Sequence, residues 1–305
     1  MNIQLTLIES LSYWRDYVAL CKPKIVSLIV FTAVVGMFLA TPGMVPVSVL
    51  IFGTLGIGLA AASAAAINHV VDHKIDSVMA RTMRRPLPKG NIGIPGAILF
   101  AFLLGGLAMV ILTYFVNALT AVLTALSLIG YGFIYSMFLK RATPQNIVIG
   151  GAAGAAPPVL GWTAVTGTLD PHSLLLFLII FAWTPPHFWA LAIYRRNDYA
   201  SVDIPMLPVT HGVKFTRLHI LLYTIVLFII TLLPYLTYMS GFVYLIGAVL
   251  LGSGFLYYAI RMQFDHSDRL AMKTFSYSII YLMALFALLL IDHYVPSIIA
   301  VFISS

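Results

Sequence analysis

Asn68, Asp72 and Asp76 recur at i, i+4 and i+8, so on a helix they line one face. Two carboxylates and an amide oxygen on one face are hard ligands of the kind Mg²⁺ accepts. Arg81, Arg84, Arg85 and Lys89 follow directly, within the stretch NHVVDHKIDSVMARTMRRPLPKG over 68–90. Guanidinium forks and ammonium groups suit phosphate oxygens. The chemistry expected of this segment is therefore the holding of a Mg²⁺-bound diphosphate. A loop made basic for membrane topology alone would carry the same cations, but it would not need Asn68, Asp72 and Asp76 on one face.

The elements that must position these residues are membrane helices. The chain has 305 residues, 61% of them hydrophobic and only 9% charged, against about 25% charged in an ordinary soluble domain. The expected fold class is all-α and polytopic, with about nine transmembrane helices in a helical bundle and the active site at the cytoplasmic side. Apolar runs long enough to cross a bilayer cover 25–41, 47–67, 93–115, 118–138, 145–167, 172–193, 216–237, 242–261 and 275–294. With the N-terminus cytoplasmic, all 17 Lys and Arg fall in the cytoplasmic segments, and the opposite loops carry only Asp170 and Asp292. The net charge of +7 is thus a topological bias and not a sign of nucleic-acid binding. Cys21 is the single cysteine, which excludes an internal disulfide and any cysteine-rich metal centre.

Residues 1–24 read as an amphipathic cytoplasmic segment, with Leu5, Ile8, Leu11, Trp14 and Val18 at helical spacing. Residues 25–305 form a single transmembrane domain. The first 24 residues resemble neither a cleavable signal nor a transit peptide. The expected location is the bacterial inner membrane, with the N-terminus cytoplasmic and the C-terminus periplasmic.

A second polar group follows the sixth span, in the stretch WTPPHFWALAIYRRNDYASVDIPMLPVTHGVK over 183–214. Asp198 and Asp203 add two carboxylates on the same membrane side, flanked by Arg195, Arg196 and Lys214. Two facing Asp-bearing segments can hold Mg²⁺ between them, so Asp72, Asp76, Asp198 and Asp203 form the expected metal set. His187 follows Pro185-Pro186 inside a span, and an ionisable side chain there is a functional candidate. It is expected to face a substrate, in competition with a purely structural histidine. His69 and His73 are spaced for a metal but lie about 100° off the aspartate face.

The pattern Asn68-x3-Asp72-x3-Asp76, then Arg81-Thr82 and Arg85-Pro86-Leu87, resembles the first Asp-rich motif of the UbiA superfamily of intramembrane prenyltransferases. The stretches TPPHFWALAI, Asp198-Tyr199 and Ile204-Pro205-Met206-Leu207-Pro208-Val209 are similar to the signature of its protohaem IX farnesyltransferase subfamily. The resemblance covers essentially the whole helical chain. One departure is the second motif: an aspartate pair at helical spacing in the superfamily, but five residues apart here at Asp198 and Asp203. The resemblance implies Mg²⁺-dependent transfer of the farnesyl group of farnesyl diphosphate to a vinyl group of haem b, with addition of water. Asp72, Asp76 and Asp198 would hold the metal, with Asn68 as a neutral ligand or orienting group. Arg81, Arg85 and Lys89 would clamp the leaving diphosphate, and His187 would meet the haem as ligand or propionate partner. It also implies haem-handling enzymes or oxidase assembly factors as partners.

Two competing functions remain open at this level. One is prenyl transfer within the same superfamily to an aromatic quinone precursor. The other is a membrane transporter of an anionic substrate, although its site would be expected near the membrane midplane rather than at one face.

Overall fold

The computed structural model describes residues 13–265 and 267–304, and every regular element within them is helical. The long apolar runs of the sequence leave the backbone one way to satisfy its polar groups in lipid, which is within each helix. In chain order these are α1 (Tyr13–Leu20), α2 (Pro23–Leu39), α3 (Val47–Asp76), α4 (Ile94–Phe115), α5 (Ala118–Ala142) and α6 (Asn146–Thr166). They continue with α7 (Pro171–Tyr194), α8 (Arg196–Ala200), α9 (Leu207–Thr210), α10 (Gly212–Leu236), α11 (Phe242–Phe264) and α12 (Asp268–Ser304). Among the described residues, 8 helices are long and apolar enough to cross a bilayer, and the number rises to 9 when α1 and α2, bent by 48°, are counted together as one span. Nine spans is the number the sequence implies. Leu5, Ile8 and Leu11 of the expected amphipathic segment lie outside the described residues; its remainder forms α1, where the Tyr17 ring meets Phe100 of α4 at a tilt of 60°.

Helix packing closes the spans into a bundle. α3 lies along α4, α2 crosses the second half of α6, α7 contacts α10 and α12, and α12 returns to α2. Small residues set the closest of these approaches, as expected where helices associate in lipid. A Cβ on Gly161 would stand 1.9 Å from the Ala33 carbonyl oxygen, and one on Gly36 would stand 2.2 Å from that of Pro158. Helices α2 and α6 therefore touch backbone to backbone. The largest interior cluster gathers Trp183, Tyr244, Phe255, Tyr281 and Phe286. Leu99, Leu103 and Leu107 of α4 are exposed on the outside of the bundle, the surface an apolar helix turns to lipid.

Two local irregularities matter for the site. The last part of α5, Gly130–Leu139, is a ten-residue π-helix, a wide-turn form concentrated at functional positions. Between α1 and α2, Lys22 adopts a left-handed backbone (φ 49°) immediately before Pro23. That conformation is costly for a residue with a side chain.

Candidate active site

Asn68, Asp72 and Asp76 share one buried face of α3, at 5%, 3% and 3% exposure. Burial of three such groups requires partners, and the partners come from three directions. Lys22, aimed by the α1–α2 bend, donates to Asn68 Oδ1 at 2.6 Å. Asn68 Nδ2 donates to Asp72 Oδ2 at 3.0 Å and to Ser136 Oγ at 3.2 Å. Lys140 Nζ donates to Asp72 Oδ2 at 2.6 Å. Arg85 donates to Asp76 Oδ2 at 2.5 Å, and Thr82 Oγ1 donates to the Asp76 carbonyl at 3.0 Å. The segment after α3 thus folds back on the helix that precedes it, capping its end with Thr82 and neutralising its last carboxylate with Arg85.

The π-helical end of α5 brings the third group of partners. Ser136 Oγ donates to the Tyr131 carbonyl five residues earlier, the spacing of a π turn. Ser136 and Lys140 both reach α3 from this stretch. Tyr131 and Tyr135 stack there with ring centroids 5.3 Å apart and lie within electrostatic reach of Asp72. The Tyr135 ring fits only because position 150 on α6 is glycine: a Cβ there would be 2.2 Å from the ring.

The second polar segment faces this cluster through Tyr199. Burial is the main cause raising the Tyr199 phenol above its ordinary pKa, with Arg81, Arg195 and Arg85 acting against it and Asp198 with it. Charges from both loops therefore meet at this phenol. Asp198 itself is partly exposed and pairs with Arg195 at 3.5 Å. Asp203 is exposed and left-handed (φ 52°), and the Ile204 N–H donates back to the Tyr199 carbonyl at 3.2 Å. Asp203 thus ends the turn after α8, a conformation Asp tolerates better than most residues. Arg196 pairs with Asp268 of α12 at 2.6 Å. Arg81, Arg84, Lys89 and Lys214 are exposed around the rim.

Among the described residues no three His, Cys, Asp or Glu side chains stand close enough to share a metal ion. Asp72, Asp76, Asp198 and Asp203 are therefore not drawn into one cage. The donors on α3 nonetheless fit a hard divalent cation. Asp72 Oδ1 is buried with no hydrogen-bond partner, and an orphaned carboxylate oxygen of this kind is one that a bound ion would satisfy.

The UbiA prenyltransferase family profile matches residues 29–295. The chain belongs to this family. A protoheme IX farnesyltransferase of Methylococcus capsulatus is 63% identical over 282 residues, covering 92% of this chain and 95% of its own length. Among solved structures, a digeranylgeranylglyceryl phosphate synthase superposes with a TM-score of 0.78 at 18% identity, covering 92% of this chain and 99% of its own. A UbiA homolog from Archaeoglobus fulgidus, bound to GPP and Mg²⁺, superposes with a TM-score of 0.60 at 16% identity, covering 90% and 99%. These two likenesses establish the shared fold.

In this UbiA-family chain, Lys22, Ser136 and Lys140 are the residues that sequence reading missed. Lys22 and Lys140 counted only as topological charges, and nothing in a linear pattern links them to positions 46 and 68 residues away. The ten-residue glycine- and tyrosine-containing end of α5 was the available signal. His187 is packed face to face between Trp183 and Phe275, with centroids 4.1 and 4.5 Å away. Ser278 Oγ fixes its Nδ1 at 2.6 Å. That leaves Nε2 as the ring nitrogen able to meet a ligand. His69 is buried on α3, and neither ring nitrogen has a partner among the described residues.

Proposed function

We propose that this chain transfers the farnesyl group of farnesyl diphosphate to a vinyl group of haem b, with addition of water, giving haem O and diphosphate. The observation that carries this reading is the 63% identity to a protoheme IX farnesyltransferase over nearly all of both chains. The α3 cluster supports it independently, since buried carboxylates ringed by Lys22, Lys140 and Arg85 suit a metal–diphosphate.

The reaction begins as the allylic C–O bond breaks and the diphosphate leaves with the electron pair. A divalent cation, for which Mg²⁺ is the natural candidate, would be held by Asp72 and Asp76 on α3, with Asp198 of the second polar segment joining them only if that segment closes on the cluster, and would supply Lewis-acid stabilisation of the leaving oxygens. Asn68 orients Asp72 through their hydrogen bond. Arg85, Lys140 and Lys22 donate to the departing oxygens at the cluster, and Arg81, Arg84 and Lys89 extend that field to the rim. Arg195, Arg196 and Lys214 line the approach for anionic substrate groups, including haem propionates. The π-electrons of the vinyl group then form the new C–C bond, and water adds to the resulting cation with loss of a proton. The faces of Tyr131 and Tyr135 stabilise positive charge in transit. His187, aligned by Ser278, is assigned to the haem side.

The prenyl tail is assigned to an apolar cleft of about 200 Å³ between α3, α4 and α5, lined by Ser63, Ile67, Phe102, Gly105, Gly106 and Phe133. Ile67 and Phe133 of this lining belong to the two helices, α3 and α5, that also carry Asn68 and Ser136. The charge distribution supports an orientation with the N-terminus on the cytoplasmic side, which in the bacterial inner membrane assigned to this chain puts the C-terminus in the periplasm. Haem-handling enzymes or oxidase assembly factors are the partners this activity calls for.

Purified protein supplied with farnesyl diphosphate, haem b and Mg²⁺ is expected to yield haem O and free diphosphate. Failure with haem b, together with product from 4-hydroxybenzoate, would replace haem by an aromatic quinone precursor as acceptor.

A further inference from the structure

Both carboxylates offered to a metal are already engaged by cations of the chain itself. Lys140 Nζ lies 2.6 Å from Asp72 Oδ2, and an Arg85 amino nitrogen lies 2.5 Å from Asp76 Oδ2. A divalent cation must compete with both. Asp72 presents a second, unpartnered oxygen as a first foothold. The Asp72 and Asp76 side chains are 5% exposed, whereas Lys140 and Arg85 are 14% and 24% exposed. The carboxylates are thus fixed in the interior, while the cations sit at the end of long arms that open outward.

The charge in this pocket restricts what can enter alone. Lys22, Lys140 and Arg85 face two carboxylates, so the cluster carries one positive charge in excess. Adding a divalent cation alone would enlarge that excess in a poorly solvated place. Adding a multiply charged diphosphate with the metal would offset it and would give the displaced ammonium and guanidinium groups new oxygens to bind.

We propose that Lys140 and Arg85 are exchangeable counter-ions, which neutralise Asp72 and Asp76 until a divalent cation takes those carboxylates and then pass to the diphosphate. The same side chains oppose metal bound alone and favour metal bound with diphosphate. Metal and diphosphate therefore strengthen each other's binding, and Lys140 is one source of that coupling, which linkage requires to be reciprocal.

This inference rests on the reading of a metal-dependent diphosphate site, and its test does not depend on turnover. Mn²⁺ binding to the full-length protein in detergent is followed by electron paramagnetic resonance, with and without inorganic diphosphate and corrected for their complex in solution. Lys140→Met is expected to bind Mn²⁺ alone more tightly, by about tenfold or more. It is also expected to bind diphosphate more weakly and to lose most of the enhancement that each ligand gives the other. Lys140→Arg, which keeps a cation in place, should retain that enhancement. An unchanged enhancement in Lys140→Met, or Mn²⁺ affinity no better than in the parent, would overturn the exchange and leave Lys140 a permanent structural ion pair. Should Lys140→Met not yield folded protein, Arg85→Gln reads the same exchange through Asp76, with the same expected signs. A parent protein that makes haem O while these variants show no altered coupling rejects the exchange alone. A parent that makes no haem O rejects the proposed function, and the Mn²⁺ titrations still decide the exchange.

Discussion

At the scale of single residues, Asp72 is the most constrained group in the site. One of its oxygens accepts from both Asn68 and Lys140, and the other is buried without a partner. Asp72→Asn keeps the shape but replaces the charge and one acceptor oxygen with an amide. Turnover is expected to fall at least about a thousandfold, the scale set by losing a principal source of leaving-group stabilisation, while circular dichroism and gel filtration stay those of the parent. Near-parental activity would remove Asp72 from the metal site. The aspartates were legible in the sequence because i, i+4 spacing has one structural meaning on a helix. Lys22 and Lys140 were not, because only tertiary packing brings separate helices to α3. Asp203 already stood apart from Asp198 by its five-residue spacing, and its left-handed backbone adds a turn-ending role that spacing alone does not reveal.

At the scale of elements, the π-helical end of α5 and the glycine facing it on α6 shape the wall beside the α3 cluster. The π stretch carries Tyr131, Tyr135 and Ser136 on widened turns, and Gly150 leaves the space that Tyr135 fills. The apolar run over 118–138 correctly implied a helix, but hydropathy does not distinguish an α turn from a π turn. The neighbouring α4 offers a test of the tail assignment. A Cβ on Gly106 would meet nothing within 4 Å, so a larger side chain there occupies the cleft and not another helix. Gly106→Phe is expected to raise KM for the C15 farnesyl diphosphate about tenfold or more while sparing the C10 geranyl analogue, a difference of the size expected when apolar contact is lost. Equal effects on the two substrates would identify the cleft as a groove for bilayer lipid.

For the whole molecule, nine spans were readable because charge asymmetry and span length are independent signals that agree. The break ahead of the first span was readable as the boundary between residues 24 and 25, but the 48° bend at which α1 meets α2 was not. Nor was the backbone contact between α2 and α6, since glycine content announces close packing without naming the pair. That contact has little room to relax: Gly161→Ala would push a methyl group against the Ala33 carbonyl. The variant is expected to lose about 1–3 kcal/mol of stability, seen as a lowered melting temperature in detergent. Unchanged melting would mean that α2 and α6 can separate freely.

The counter-ions of α3 also differ in when they are made. Lys22 precedes α3, Arg85 follows Asp76 by 9 residues, and Lys140 follows Asp72 by 68. As the chain leaves the ribosome, Asn68 can find its lysine at once and Asp76 its arginine soon after. Asp72 must wait until α4 and α5 have been synthesised. During that interval an unanswered carboxylate, costing roughly 2.5–3.5 kcal/mol at a helix centre and less toward the interface, keeps the end of α3 near water. Insertion of α5 then draws it inward, so the hydrogen-bonded cluster on α3 is completed by the arrival of the fourth span.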